Sequence, residues 1–449
     1  MLMTGVLLAA APGPAAPFVV PPSPAGRMCP RRPLPLFSAA SPPPAPDAAP
    51  AGTGAPAAGR SPRAVARVEK FARLPVWPAW NGVALFLLSL VPGIGPSLAA
   101  SLEDAVGGRV CPNFFESGAT SPFVMLVHHR HSFAPWDPLR RFQSTFFPEG
   151  FPAHPHRGFI TVTYVLKGGF RHRDSMGVKQ YYGAQPRHGG RHTQWLTTGA
   201  GLLHEEMWDI APDGSDGDGK EGAWPGPLSR LQPSSQELYQ LWLNVPAANK
   251  MDPPKVELLG GPDGSAPAVR GEGTETVVLA GDHGGRRGSV GLLSDLAILH
   301  VAMEAGSTWR HLLPASHQTA ILYVRRGSVT VGATEVPAHH TAFLREDGAD
   351  LTVVAGEGGE GEGEGGADFL LLAGEPLGEP VAAQGSMVLN TPDQVSRAYE
   401  DYQALRMGAP WDEGLTDEEW REHVARYPSK YGIGTGEGDG AERGGAGRE

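Results

Sequence analysis

The chain has 449 residues, 41% of them hydrophobic, and a formal net charge of −11 at pH 7. This length accommodates two or three domains with ordinary apolar cores. The negative charge argues against a general DNA or RNA surface, because phosphate contacts need clustered Lys and Arg. The two cysteines, Cys29 and Cys111, lie far apart, so we expect neither a disulfide framework nor a cysteine-type zinc site.

Residues 1–70 are rich in Ala and Pro, and their only acidic residues are Asp47 and Glu69. A basic, acid-poor segment of this kind is typical of organellar transit peptides. We therefore expect a disordered leader that directs the chain to the plastid. The alternatives are the mitochondrion, or a plain disordered tail on a cytoplasmic or nuclear protein.

An apolar run lies within residues 71–106 and is strongest at residues 83–90 (VALFLLSL). Pro92 and Gly93 interrupt it after about ten residues, well short of the roughly 20 that span a bilayer. We therefore expect no membrane association. The run predicts a short buried helix that packs on the body, followed by a turn and a second short helix.

From Val110 onward, short β-rich runs alternate with Gly, Pro and Asp turns. Many short strands of this kind predict a sandwich or a barrel. The strands that contain Tyr164 (YVLKGG) and Tyr323 (YVRRGS) end in similar glycine turns, which indicates two similar β-barrels in tandem. We place an N-terminal barrel at residues 107–250 and a C-terminal barrel at residues 251–390.

The C-terminal region, residues 391–449, is expected to form a helix followed by a polar tail. Thr391 is the predicted N-cap, Pro392 occupies the first helical position, and Gly408 follows the last turn. The predicted fold class is therefore mainly all-β, with two barrels, short peripheral helices and a disordered N-terminal leader.

Two pairs of metal-binding side chains stand out in the N-terminal barrel. His154 and His156 are two residues apart, as are His204 and Glu206. Because alternate residues of a strand point to the same face, each pair would present both side chains together. Two such strands side by side would gather three imidazoles and one carboxylate around a metal ion. This set suits Fe(2+) with two open positions, although manganese, nickel and copper remain alternatives to iron.

These pairs lie inside motifs that closely resemble those of the pirin family. The matching runs follow in family order over roughly residues 107–407, namely residues 150–159 (GFPAHPHRGF), 194–207 (QWLTTGAGLLHEEM), 240–244 (QLWLN), 337–342 (PAHHTA), 374–380 (GEPLGEP) and 389–391 (LNT). The resemblance implies a bicupin, in which two cupin barrels share one chain. It also implies one iron per chain in the N-terminal cupin, bound by His154, His156, His204 and Glu206. The C-terminal cupin, which has no HxH pair, is expected to be metal-free.

The resemblance implies two functions of different class. Pirins have been described as quercetin 2,3-dioxygenases and as iron-containing transcription co-regulators that bind a protein partner. In the first case the partners are a small enolisable aromatic and dioxygen, and Glu206 either stays on the metal or accepts the substrate proton. The chain departs from the pirin pattern at Ile160, where pirins commonly have Glu, so we expect a polar contact near the metal to be lost.

Several other residues in the N-terminal barrel have less specific patterns. We expect His128, His129 and His131 to be surface or pocket-edge histidines, and Gln240 and Trp242 to be structural. No direct nucleic-acid partner is expected.

Overall fold

The computed structural model describes residues 61–431, except for residues 72, 75–76, 107, 117, 185–187, 189–190, 211–230, 232, 261–265 and 358–365. Most of the expected leader and the end of the expected polar tail lie outside these residues. Within them strands predominate and helices are few, so the predicted all-β, two-barrel architecture is confirmed.

The α-helices of the described residues are short and peripheral. They are α1 (Ala79–Ser89), α2 (Gly95–Val106), α3 (Pro138–Gln143), α4 (Pro392–Gln403) and α5 (Asp417–Arg426). The strands up to residue 260 are β1 (Val65–Lys70), β2 (Arg109–Phe114), β3 (Phe123–Phe133), β4 (Gly150–His156), β5 (Phe159–Lys167), β6 (Gly169–Asp174), β7 (Lys179–Gly183), β8 (His192–Thr197), β9 (Leu202–Trp208), β10 (Ser234–Asn244) and β11 (Lys255–Gly260). The later strands are β12 (Ala268–Gly271), β13 (Thr274–Ala280), β14 (Asp282–His283), β15 (Arg286–Arg287), β16 (Leu296–Glu304), β17 (Thr308–Leu312), β18 (Thr319–Arg326), β19 (Ser328–Val331), β20 (Thr334–Pro337), β21 (His340–Leu344), β22 (Asp350–Ala355), β23 (Gly366–Gly374), β24 (Ala382–Gln384) and β25 (Met387–Leu389).

The two barrels repeat one strand pattern. Each pairs a large antiparallel sheet with a four-stranded one, whose strand order is β4-β9-β6-β7 in the first barrel and β17-β22-β19-β20 in the second. The large sheets run β11-β8-β5-β10-β3-β2 and β1-β21-β18-β23-β16-β13-β12. The strand β17 thus corresponds to β4, and β22 corresponds to β9.

Each barrel is completed at one edge by a strand from outside its predicted boundaries. The strand β1 pairs with β21 of the second barrel, and β11 pairs with β8 of the first. Two predicted boundaries are therefore wrong. Residues 65–70 are part of the second barrel and not of a leader, and the first barrel extends beyond residue 250. The physical reason is that both strands cover open sheet edges, whose unpaired backbone groups need partners.

The C-terminal helices pack on the first barrel. Residues of α4, α5 and their connection form a buried apolar cluster with Leu203 of β9. Thr391 caps α4 as predicted, through a reciprocal capping box with Gln394, although the helix ends at Gln403. An ion pair between Arg157 and Asp401, 2.9 Å long, connects the first barrel to α4.

The apolar run before the first barrel folds as a hairpin of α1 and α2, which pack against each other. Leu85 and Ala99 are buried, but Phe86, Leu90 and Ile94 are exposed. The prediction of a buried helix is therefore wrong for most of this segment, because the described residues cover only one side of the hairpin. Among the described residues, no helix is long and apolar enough to span a bilayer.

Candidate metal centre

The pairing of β4 with β9 brings the three predicted histidines together. His154 lies directly opposite His204 in this pairing, and His156 lies on the same strand as His154. One ring nitrogen from each histidine lies within 4.8 Å of the others. The Nε2 atoms of His154 and His204 are 3.1 Å apart. The i, i+2 spacing on β4 thus places His154 and His156 on the same face, as strand geometry predicts.

Burial keeps these three imidazoles neutral. Desolvation lowers the pKa of His154, His156 and His204, and neighbouring histidines lower it further. The Nδ1 atom of His154 lies 2.7 Å from the carbonyl of Pro152, to which it can donate. In that tautomer its Nε2 presents a lone pair toward His204. Neutral nitrogens with lone pairs facing one point are the form that a metal ion binds.

Glu206 lies beside the three histidines but is not part of the group of mutually close ligand atoms. Its buried carboxylate accepts hydrogen bonds from Thr163 Oγ1 at 3.0 Å, Tyr182 OH at 2.9 Å and Gln240 Nε2 at 2.7 Å. Burial and the nearby Glu206 charge raise the pKa of Tyr182 well above its usual value, so the phenol stays a donor. The structure thus holds Glu206 in place through three neutral donors. Its role as a metal ligand stays a prediction.

The residues present fit a transition-metal ion. Three neutral imidazoles converge there, and the Nε2 atoms of His154 and His204 lie 3.1 Å apart. Neutral ring nitrogens that face one point form a donor set for a metal ion. Imidazole nitrogens suit iron, nickel, copper and zinc, so this donor set by itself does not distinguish among these metals.

Several residues that support the site were not assigned to it from the sequence. Thr163 and Gln240 hold Glu206, and the Trp242 ring meets the His156 ring edge-on at 5.5 Å. His172, which bonds Asp174 at 3.0 Å, has its ring 5.5 Å from that of His204. Gln240 and Trp242 alternate along β10, so the same i, i+2 rule could have placed both on the metal side.

Glu205 faces away from the metal site, as its position between His204 and Glu206 predicts. Its carboxylate is fully buried and accepts hydrogen bonds from Arg173 Nε at 2.5 Å and Trp411 Nε1 at 2.7 Å. It therefore anchors the segment between α4 and α5 to the barrel.

The three histidines of β3 are buried, so the prediction of surface or pocket-edge positions is wrong. His128 bonds Tyr323 OH and Glu237 at the contact between the barrels. His129 and His131 instead point into the first barrel, against aromatic rings that include Trp208. The alternation of β3 between two buried faces explains both placements.

Ile160 points away from the metal toward the second barrel. It belongs to the apolar cluster that joins the two large sheets, together with Leu241 of β10 and Leu372 of β23. The expected loss of a polar contact near the metal at this position is therefore not supported by the geometry. An apolar residue at 160 instead adds to the contact between the barrels.

The corresponding strands of the second barrel have a different composition. There β17 has Trp309 and His311 two residues apart, and these pair with Val353 and Leu351 of β22. Trp309, Leu351 and Val353 are part of that barrel's apolar core. In β4 and β9 these positions have side chains that could bind a metal. In β17 and β22 most of the corresponding positions have apolar core side chains instead.

The two linked barrels and the buried imidazole cluster in one of them define a cupin-type metalloprotein with two cupin domains. The sequence profile described as "Pirin" matches residues 108–243, and the one described as "Pirin C-terminal cupin domain" matches residues 298–408. Pirin-1 of Arabidopsis thaliana is 31% identical over 316 residues, which cover 69% of this chain and 92% of that protein. The chain belongs to the pirin family.

Bacterial proteins are similar as well. A Vibrio cholerae protein, provisionally named a quercetin 2,3-dioxygenase, is 32% identical over 304 residues, covering 67% of this chain and 89% of its own. The crystal structure of a quercetin 2,3-dioxygenase from Acinetobacter baumannii superposes with a TM-score of 0.56 at 24% identity, covering 78% of this chain and 99% of that one. This structural likeness supports the two-cupin fold.

Proposed function

We propose that this protein is a mononuclear Fe(II)-dependent dioxygenase that acts on a flavonol-like or another enolisable aromatic substrate. The observation that supports it is the convergence of three neutral imidazoles, two of them buried and that of His154 partly buried, next to a carboxylate held by three donors. The provisional name of the Vibrio cholerae relative points to the same chemistry. Iron bound here would supply Lewis acidity toward a substrate hydroxyl and a position for dioxygen.

The protein groups around the site define its shape and charge. His154, His156 and His204 would hold the metal ion. Thr163, Tyr182 and Gln240 each donate a hydrogen bond to Glu206 and so orient its carboxylate beside the three histidines. A carboxylate positioned in this way suits the role of a fourth metal ligand. Trp242, packed on His156, covers one side of the site with an apolar surface.

We expect about one iron per purified chain, and His156→Ala should remove most of it, because the site loses one of three nitrogen ligands. His340→Ala is the matched control, since His340 lies in the second barrel and its side chain bonds a local carbonyl, that of Ala338. Metal content is measured by elemental analysis. Full iron occupancy in His156→Ala would contradict the ligand assignment.

Oxygen uptake on adding quercetin or related flavonols to the iron-loaded protein tests the activity. We expect uptake by the unmodified protein and by His340→Ala, and a large loss in His156→Ala. An iron-loaded protein that consumes no oxygen with any flavonol would contradict the dioxygenase proposal. That outcome would favour the alternative of an iron-containing redox sensor that binds a protein partner.

A further inference from the structure

The α1–α2 hairpin is an apolar surface that the proposed dioxygenase chemistry does not use. Residues 74–102 contain no charged side chain. Around the tip of the hairpin, Phe86 is 62% exposed, Leu90 61% and Ile94 71%. Val83, Leu87, Val91 and Leu98 are exposed as well. Contiguous apolar surfaces of this kind mark sites of interaction with a partner or a lipid surface.

The backbone of the hairpin tip is satisfied by internal hydrogen bonds. Four N–H groups of the turn donate to carbonyls within the hairpin at distances between 3.0 and 3.2 Å. They are those of Leu90, Val91, Ile94 and Gly95. Pro92 has no N–H to satisfy. Of the polar side chains near the tip, Ser89 donates to the carbonyl of Phe86 at 2.6 Å. A tip with these internal bonds can enter hydrocarbon without leaving the bonded groups unpaired.

The dimensions of the hairpin fit one leaflet of a bilayer. The helix α1 has 11 residues, which corresponds to about 16 Å at 1.5 Å per residue. One half of a hydrocarbon core is about 15 Å thick. The base of the hairpin is attached to the first barrel, because Trp80 Nε1 donates to Asp137 at 3.0 Å. The hairpin therefore reaches outward from a fixed polar base.

The length of the apolar run led to the expectation of no membrane association, but its exposure changes that expectation. We propose that the α1–α2 hairpin inserts into one leaflet of a lipid bilayer and attaches the protein to a membrane surface without spanning it. The interaction is hydrophobic, since residues 74–102 offer no charge to a lipid headgroup. The net charge of −11 opposes binding to anionic lipids, so the preferred surface is zwitterionic. This inference does not depend on the proposed enzymatic activity.

Flotation of the full chain with phosphatidylcholine vesicles tests the proposal. We expect the unmodified protein to float with the vesicles at both low and high salt, because hydrophobic contacts are not screened. Leu90→Asp combined with Ile94→Asp should reduce the partition coefficient by roughly tenfold or more, since two inserted side chains are lost. Met251→Asp combined with Leu293→Asp is the matched control, because these residues are 54% and 40% exposed outside the hairpin.

A second measurement keeps the test independent of folding defects. Leu90→Trp should show fluorescence quenching by brominated phosphatidylcholine, whereas Met251→Trp should show much less. The proposal is overturned if the unmodified protein does not float, or if the hairpin variant floats equally well. A third outcome also overturns it: the unmodified protein self-associates without binding vesicles, and the hairpin substitutions abolish this self-association. In that case a second copy of the chain covers the apolar surface.

Discussion

At the scale of single residues, His311 shows how burial determines the charge of a side chain. It lies on β17 with its Nδ1 atom 3.0 Å from that of His283, which also faces it from a neighbouring hairpin. Burial lowers the pKa of His311, and together with the positive charges that His283 and His317 can acquire it brings this pKa to about 4. His311 is therefore neutral in the folded protein at pH values where it is partly protonated in the unfolded chain.

This difference predicts an acid-sensitive contribution to stability. The depressed pKa makes the contribution fully present above about pH 6.5, and it is lost as the pH falls toward 4, because the unfolded chain then binds the extra proton. The loss amounts to about 3 kcal/mol for a difference of this size. Chemical denaturation of His311→Leu should show a flatter dependence of unfolding free energy on pH in this window. An unchanged slope would contradict the assigned burial effect, and His340→Leu is the control.

At the scale of secondary-structure elements, β1 and β11 have the same structural role in different barrels. Each covers an edge of a large sheet, and each comes from beyond the boundaries that the sequence suggests for its barrel. The segment before β1 adds further contacts, because Arg63 donates to the carbonyls of Gln318 at 2.5 Å and Gly348 at 3.1 Å. The second barrel therefore depends on a segment that precedes the first one.

We predict that a chain beginning at Phe71 is less stable than a chain beginning at Ser61. Removing β1 exposes the edge of β21 and the apolar surface under Val68, so the midpoint of thermal unfolding should fall by at least several degrees. Aggregation should also increase, because an unpaired edge strand can pair with another chain. Differential scanning calorimetry and light scattering of the two chains measure both effects. Equal midpoints and equal scattering would show that β1 is dispensable.

At the scale of the whole molecule, a buried ionic network joins the two barrels. Arg325 of the second barrel contacts Asp368 of the same barrel at 2.7 Å and Glu237 of the first at 3.0 Å. Burial alone would raise the pKa of the Glu237 carboxyl, but the His128 hydrogen bond and the Arg325 charge hold it well below its usual value. One arginine thus compensates two buried carboxylates, and the barrels are coupled through it.

Arg325→Met should therefore destabilise the protein by about 3–5 kcal/mol, since it leaves buried carboxylates without their cation. Arg326→Met provides the matched control, because this neighbouring side chain is exposed and its loss should change stability by less than about 0.5 kcal/mol. Urea denaturation of both variants measures the difference. Similar unfolding free energies for the two variants would show that the network contributes little.

The sequence by itself determined the features that depend on local spacing. The i, i+2 pairs predicted which side chains would share a strand face, and β4 does present His154 and His156 together. Thr391 and Pro392 predicted the start of α4, because capping depends on residues adjacent in the chain. The repeated strand and turn pattern predicted two barrels, since side-chain alternation and turn chemistry are local properties.

The tertiary structure alone decided which elements meet. Residues far apart in sequence are joined by the pairing of β1 with β21 and of β11 with β8, by the three donors around Glu206 and by the placement of His128 between the barrels. The length of the apolar run excluded a spanning helix, but only the folded chain shows that the hairpin leaves this run exposed. Local sequence specifies the conformation of each helix and strand. Which of its faces is buried, and which strand it pairs with, depends on the segments distant in sequence that pack against it.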